Sequence, residues 1–173
     1  MATLKYLGGY DERILARVRE LIAEDRLDAL LRERYPDMHA VRNDKALFEY
    51  AIALKDRFMR KSDPVGKVIY DNHLQVVRDA LGTHTTVSRV QGSRLKASRE
   101  IRIASVFRDA PAEFLRMIVV HELAHLKERE HNKSFYKLCT HMAADYHQLE
   151  FDVRLYLTHL DNRRPVTSVA APA

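Results

Sequence analysis

The apolar positions of this chain recur with two different periods, and the switch between them divides the sequence into three blocks. In "DERILARVRELIAEDRL", Ile14, Leu15, Val18, Leu21 and Ile22 fall three and four residues apart with charges between them, which predicts an amphipathic helix. Leu27, Leu30 and Leu31 continue into a second short helix. It should stop near Tyr35-Pro36, because proline disfavours helix in the residue before it. A third helix opens at the cap candidates Asn43-Asp44 and carries Leu47, Phe48, Ala51, Lys55 and Phe58 down one face. These three form a predicted N-terminal helical layer, and their charges read as solvated faces.

The middle of the chain changes period. "DPVGK", from Asp63 to Lys67, is a turn signal. "VIYDN" and "HLQVV" suggest a hairpin around Asp71-Asn72. "TTVSRVQG" and "SREIRIASVF" are stronger strand candidates. They are rich in β-branched residues, and Ile101, Ile103 and Ser105 alternate with Arg102, Ala104 and Val106. With "QGSRLKAS" as the connecting loop, the expectation is an antiparallel hairpin. Helical spacing returns after Asp109 and Pro111, with Glu113 in the first turn. Phe114, Met117, Ile118, Val119 and Val120 make that helix apolar nearly all round, as a helix in the middle of a fold must be. One further helix carries Phe135, Leu138, Cys139 and Met142, and a last one Leu149, Val153, Tyr156, Leu157 and Leu160. The tail "RRPVTSVAAPA" has no pattern and is expected to be disordered. Helices, a small sheet, then helices again predict an α+β fold.

Composition narrows the class. At 173 residues and 46% hydrophobic, the chain is expected to form a single globular domain with a real core. No apolar run reaches the roughly 18 residues of a membrane span, and the N-terminus lacks the apolar region of a signal peptide. The lone Cys139 excludes an intrachain disulfide and reads as a small buried hydrophobe rather than a catalytic thiol. Together these predict a cytoplasmic protein with no membrane partner. The net charge of +5 is mildly basic and compatible with an anionic partner.

The chemistry is concentrated in "VVHELAHLKEREHNKSFY". His121, Glu122 and His125 form H-E-x-x-H. Residues four apart share one face of a helix, so both imidazoles can grip one metal ion. Glu122 lies about 100° round the helix, able to reach a water on that ion rather than to act as a ligand in line with the histidines. A metal hydrolase needs this arrangement: the ion acidifies water and the carboxylate takes the proton. Two histidines and a glutamate on an apolar helix are costly to bury unless something satisfies them.

A catalytic zinc usually takes three protein ligands. His131 follows His125 by six residues, the spacing of the extended zincin motif, but Glu128 stands at the glycine position of that motif. A continuous helix would carry His131 about 80° round and about 15 Å along the axis from His121. It ligates the same ion only if the helix ends between Lys127 and His131. The polar run "KEREHN" permits that, with Asn132 able to cap the next helix or adopt an unusual backbone conformation. The competing third ligands are Asp145, Glu150 and Asp152. His141 and His147 read as local hydrogen-bonding residues, and His84 has only a weak claim on the site. Tyr136 is a candidate oxyanion donor, with packing as its alternative role.

"MIVVHELAHLKEREHNKSFYKLC", preceded by "VSRVQGSRLKASREIRIASVF", resembles the YgjP-like family of zincin-type metal hydrolases, relatives of the WLM and SprT-like metallopeptidases. The resemblance is strongest over about residues 66–160, and the "YLGGY" and "RYP" segments share it. It implies a zincin-like fold, with a small antiparallel sheet packed on a central H-E-x-x-H helix. The implied single domain covers residues 1–162, divided into a helical layer (1–62), a β-rich part (63–108) and metal-binding helices (109–162), followed by the tail 163–173. The resemblance also implies His131 as third ligand and an aromatic four residues later, here Phe135.

It implies less about substrate. The first expectation is a zinc metallopeptidase with Glu122 as general base, binding an extended peptide along the edge of strand 101–107. The alternative is a nucleoside triphosphate (UTP) pyrophosphatase, an activity linked to the YgjP branch. It would use the same centre and place the phosphates on a basic hairpin. Arg89, Arg94, Lys96, Arg99, Arg102 and Arg108 supply the cations there. Arg89 stands out because it interrupts an apolar strand, and Arg89, Arg94, Lys96 and Tyr136 are the substrate-binding candidates. A third expectation is a nucleic-acid-binding module, weakened by the lack of interleaved aromatics. Zn2+ suits the histidine-rich ligand set, and Ni2+, Mn2+ or Co2+ can substitute.

Overall fold

The computed structural model describes residues 4–74 and 99–163. Among the described residues, six helices and a two-stranded sheet give an α+β arrangement: α1 Glu12–Ala23, α2 Leu27–Arg34, α3 Asp44–Phe58, β1 Val65–Asp71, β2 Arg99–Ala104, α4 Ala112–Ala124, α5 Lys133–Met142 and α6 Tyr146–Arg163. Short 3-10 turns, Lys5–Leu7 and Ser105–Asp109, precede α1 and α4. Among the described residues no helix is long and apolar enough to cross a membrane.

The chain divides into two compact units. The first comprises residues 1–34 and 151–173. Asp11 caps α1, its carboxylate accepting from the Arg13 N–H, and α1 turns Val18 and Leu21 inward. Ile14 and Leu30, predicted on the apolar faces of α1 and α2, are instead exposed. Leu7, Leu27, Leu31, Val153, Leu155 and Leu157 complete the core of this unit. Tyr10 packs on Phe151 at 5.1 Å between ring centroids, and Arg154 donates to the Tyr6 carbonyl.

The second unit, residues 35–150, contains the H-E-x-x-H motif and His131. Asn43 caps α3 by accepting from the Ala46 N–H, as its position before the apolar run predicts. The next residue, Asp44, accepts from the Tyr70 N–H at 2.9 Å and ties β1 to the start of α3. In the sheet, Val68 pairs with Ile101 and Tyr70 with Ile103, and all four side chains are buried. The second half of the predicted strand, from Ser105 on, winds into the 3-10 turn.

β1 and β2 run parallel, whereas the sheet was expected to be antiparallel. Alternation of apolar residues fixes which side of a strand faces the core, but it is blind to the direction of the partner. A parallel pair needs a crossover of about a dozen residues or more, and the chain from Asn72 to Ser98 exceeds that length. The antiparallel partner expected for β2, residues 85–92, lies outside the described residues, as do most of "HLQVV", His84 and the tail beyond Arg163.

α4 occupies the core of this unit. Phe114, Leu115, Met117, Ile118, Val119, Val120, Leu123 and Ala124 are all buried, the larger of them contributing about 1.5–3 kcal/mol apiece by burial. A helix anchored on all sides offers a rigid base for functional groups at its C-terminal end, and that is where the histidines lie.

Candidate metal centre

His121 sits in the last turn of α4 and is buried, while Glu122 and His125 are half-buried. The regular helix ends at Ala124, with His125 at the C-cap, earlier than the Lys127–His131 window. The final turn tightens instead of stopping abruptly. Leu126 and Lys127 donate to the carbonyls of Leu123 and Ala124, and Glu128 makes the last helical bond, to Ala124 at 3.0 Å. The chain then bends through residues 129–132. None of these residues has a positive φ, so the missing glycine costs nothing here. Asn132, with extended backbone, restarts the helix by accepting from the Phe135 N–H at 2.9 Å, the capping role open to it from sequence.

This detour returns His131 to His121. The Nε2 of His121 is 3.2 Å from that of His125 and 3.1 Å from that of His131. Three nitrogens about 2.0–2.1 Å from one tetrahedral ion would lie about 3.3 Å apart, so the spacing fits a single divalent ion. Among the described residues, these three histidines form the one cluster of potential ligand atoms able to hold a metal, all within 4.8 Å of one another.

The far sides of two rings are held. His125 Nδ1 is 2.9 Å from the Glu128 carbonyl, which as a pure acceptor requires an N–H there and leaves Nε2 as the lone pair. His121 Nδ1 meets the Tyr146 hydroxyl at 2.7 Å. Partners of this kind orient metal-binding imidazoles. Phe135 forms a wall, its ring centroid 5.0, 4.6 and 4.7 Å from those of His121, His125 and His131. Burial holds the Tyr146 hydroxyl far above its ordinary pKa and pushes the neighbouring Cys139 thiol up to about 12. Cys139 is therefore a buried, protonated group rather than a nucleophile.

Other candidates fall elsewhere. Asp145 pairs with Arg116 at 2.8 Å, and Asp152 with Arg34 at 3.4 Å. His141 lies edge-on to Phe58, and His147 is tilted against Tyr136 at 5.3 Å. Tyr136 is half-buried and packs edge-on to Phe135. Arg89, Arg94 and Lys96 lie outside the described residues. Arg99 pairs with Asp63, and Arg102 with Asp71 and Glu100. Tyr146 was not foreseen. It stands 25 residues from His121 on another helix, and no local spacing marks it.

Comparison with known proteins agrees with this geometry. The family described as YgjP-like, metallopeptidase domain, matches residues 70–153. The chain is 60% identical over 160 residues to the UTP pyrophosphatase of Escherichia coli (strain K12), an alignment covering 92% of this chain and 96% of that protein. No solved structure matches it. With the H-E-x-x-H helix, the returning third histidine and this extent of identity, the chain belongs to the YgjP-like family of metal-dependent hydrolases.

Proposed function

We propose that this hydrolase is a nucleoside triphosphate pyrophosphatase acting on UTP, with His121, His125 and His131 holding a Zn2+ ion and Glu122 as general base. The observation that carries the substrate is the 60% identity, over nearly the whole of both chains, to a protein named for that activity. The three converging Nε2 atoms support the metal centre. Zinc is the ion best suited to three imidazoles, with Ni2+, Mn2+ or Co2+ as substitutes. When bound, it supplies a Lewis acid and a water of lowered pKa. The Glu122 carboxylate, half-buried next to His121, receives the proton of the attacking water. A phosphoanhydride bond of the triphosphate breaks and pyrophosphate leaves. Arg89, Arg94 and Lys96 are the cations we assign to the phosphates, and Tyr136 is a further candidate donor. The whole forms a zincin-like arrangement, the sheet beside the H-E-x-x-H helix.

The family's description as a metallopeptidase domain favours a second reading, hydrolysis of an extended peptide by the same centre. Turnover of UTP and of unfolded casein separates the two, with pyrophosphate detected by coupling to inorganic pyrophosphatase. The expected outcome is pyrophosphate from UTP and no casein cleavage. Glu122→Gln should lower the rate by about 10²–10⁴-fold with metal content unchanged. Full activity in Glu122→Gln would remove Glu122 from the role of base.

A further inference from the structure

Each neutral imidazole carries one ring proton. The Nε2 of His121 faces His125 and His131. To offer a lone pair there, the ring must carry its proton on Nδ1. Tyr146 Oη, 2.7 Å away, is then the acceptor of that N–H, and the hydroxyl's own proton needs somewhere else to go. The buried Cys139 thiol beside it is the group that can take that proton. All three side chains are buried, so water does not compete for these bonds. The opposite order is chemically distinct: Tyr146 would donate to Nδ1, and an Nε2–H would point into the cluster.

Resting on the metal reading above, we propose that Tyr146 is a positioning residue. Its hydroxyl, engaged by the Cys139 thiol, accepts from His121 Nδ1 and thereby fixes the tautomer and tilt that aim Nε2 at the ion. This gives the single cysteine of the chain a part in the site without any nucleophilic chemistry. It also explains why a tyrosine stands in a fully buried position where phenylalanine would pack equally well. Glu128 does the same for His125 through its carbonyl. The two rings on the α4 face are thus held from two sides, one by main chain and one by side chain.

The test has one arm without metal and one with it. In the metal-free protein, ¹⁵N spectra of labelled histidine should show His121 as the Nδ1–H tautomer. An Nε2–H form overturns the proposal whatever the metal does. In the second arm, Zn2+ affinity is measured by competition with a chromogenic chelator. Tyr146→Phe should bind about 10–100-fold more weakly, with near-UV circular dichroism and melting temperature close to wild type. Cys139→Ser, which keeps an acceptor for the hydroxyl, should bind more tightly than Cys139→Val. If Tyr146→Phe binds Zn2+ as tightly as wild type, Tyr146 has no positioning role and the metal centre still stands. If wild type takes up no Zn2+, the metal reading falls and the proposal with it.

Discussion

At the scale of single residues, the centre separates groups that act through side chains from those that act through the backbone. His131 contributes a ring nitrogen 3.1 Å from that of His121. Glu128, three positions earlier, contributes its carbonyl to His125, while its carboxylate accepts from Asn132. The sequence marks His131 as the third ligand, but it says nothing of the Glu128 carbonyl, since Glu128 is notable there only as the residue at the glycine position of the extended zincin motif. Two substitutions distinguish these roles. His131→Ala removes the proposed third ligand and should weaken Zn2+ binding by more than about 100-fold. Glu128→Ala keeps the carbonyl and should alter affinity by less than about threefold, within the range of ordinary surface substitutions. Chelator competition measures both. A large loss in Glu128→Ala would mean that its carboxylate, not its carbonyl, supports the site.

At the scale of elements, helix existence was legible in the sequence because caps and apolar periods coincide. Asn43, Asn132 and the turn before α4 all stand where the elements start. The end of α4 was legible only as a requirement, since geometry demanded a break before His131. What ends the helix is a tightening of its last turn, which no residue type announces. The parallel pairing of β1 with β2 was not legible, because an alternating pattern carries no information about the partner. The parallel pair is pinned by Asp71 on β1 and Arg102 on β2, 2.7 Å apart. The Arg102 hydrogen bond, then that of the His73 N–H, hold the Asp71 carboxyl below its usual 3.8. A lowered folded-state pKa stabilises the fold above the unfolded value and loses that contribution as pH falls below it. Asp71→Asn should therefore cost about 0.5–1 kcal/mol near neutral pH, and the difference should shrink below about pH 4. Urea titrations of both proteins at pH 7 and pH 3.5 measure this. An unchanged difference at the lower pH would exclude the ion pair as its source.

At the scale of the whole molecule, the α+β class and the H-E-x-x-H pair were readable from sequence because each depends on local spacing. The Tyr146 contact was not, because it joins helices far apart in the chain. The three histidines come from the end of α4 and from the bend before α5, and Tyr146 from the start of α6, so an ion held as proposed would tie together three consecutive pieces of the second unit. An ion that binds the folded chain alone stabilises it by mass action, by about 2.7 kcal/mol at a free concentration 100 times its dissociation constant. For a chain of this size that corresponds to about 5–10 °C in melting temperature. Melting wild type with added Zn2+ and then with excess EDTA should reveal a shift of that order. His121→Ala should melt at one temperature under both conditions, because it lacks the ring nitrogen shared by both short contacts. Glu122→Gln should retain the full shift if, as proposed, its carboxylate serves the water rather than the ion. A wild-type melt that ignores EDTA would show that three histidines at ligand spacing do not hold the fold through a metal. Loss of the shift in Glu122→Gln would instead place Glu122 among the ligands.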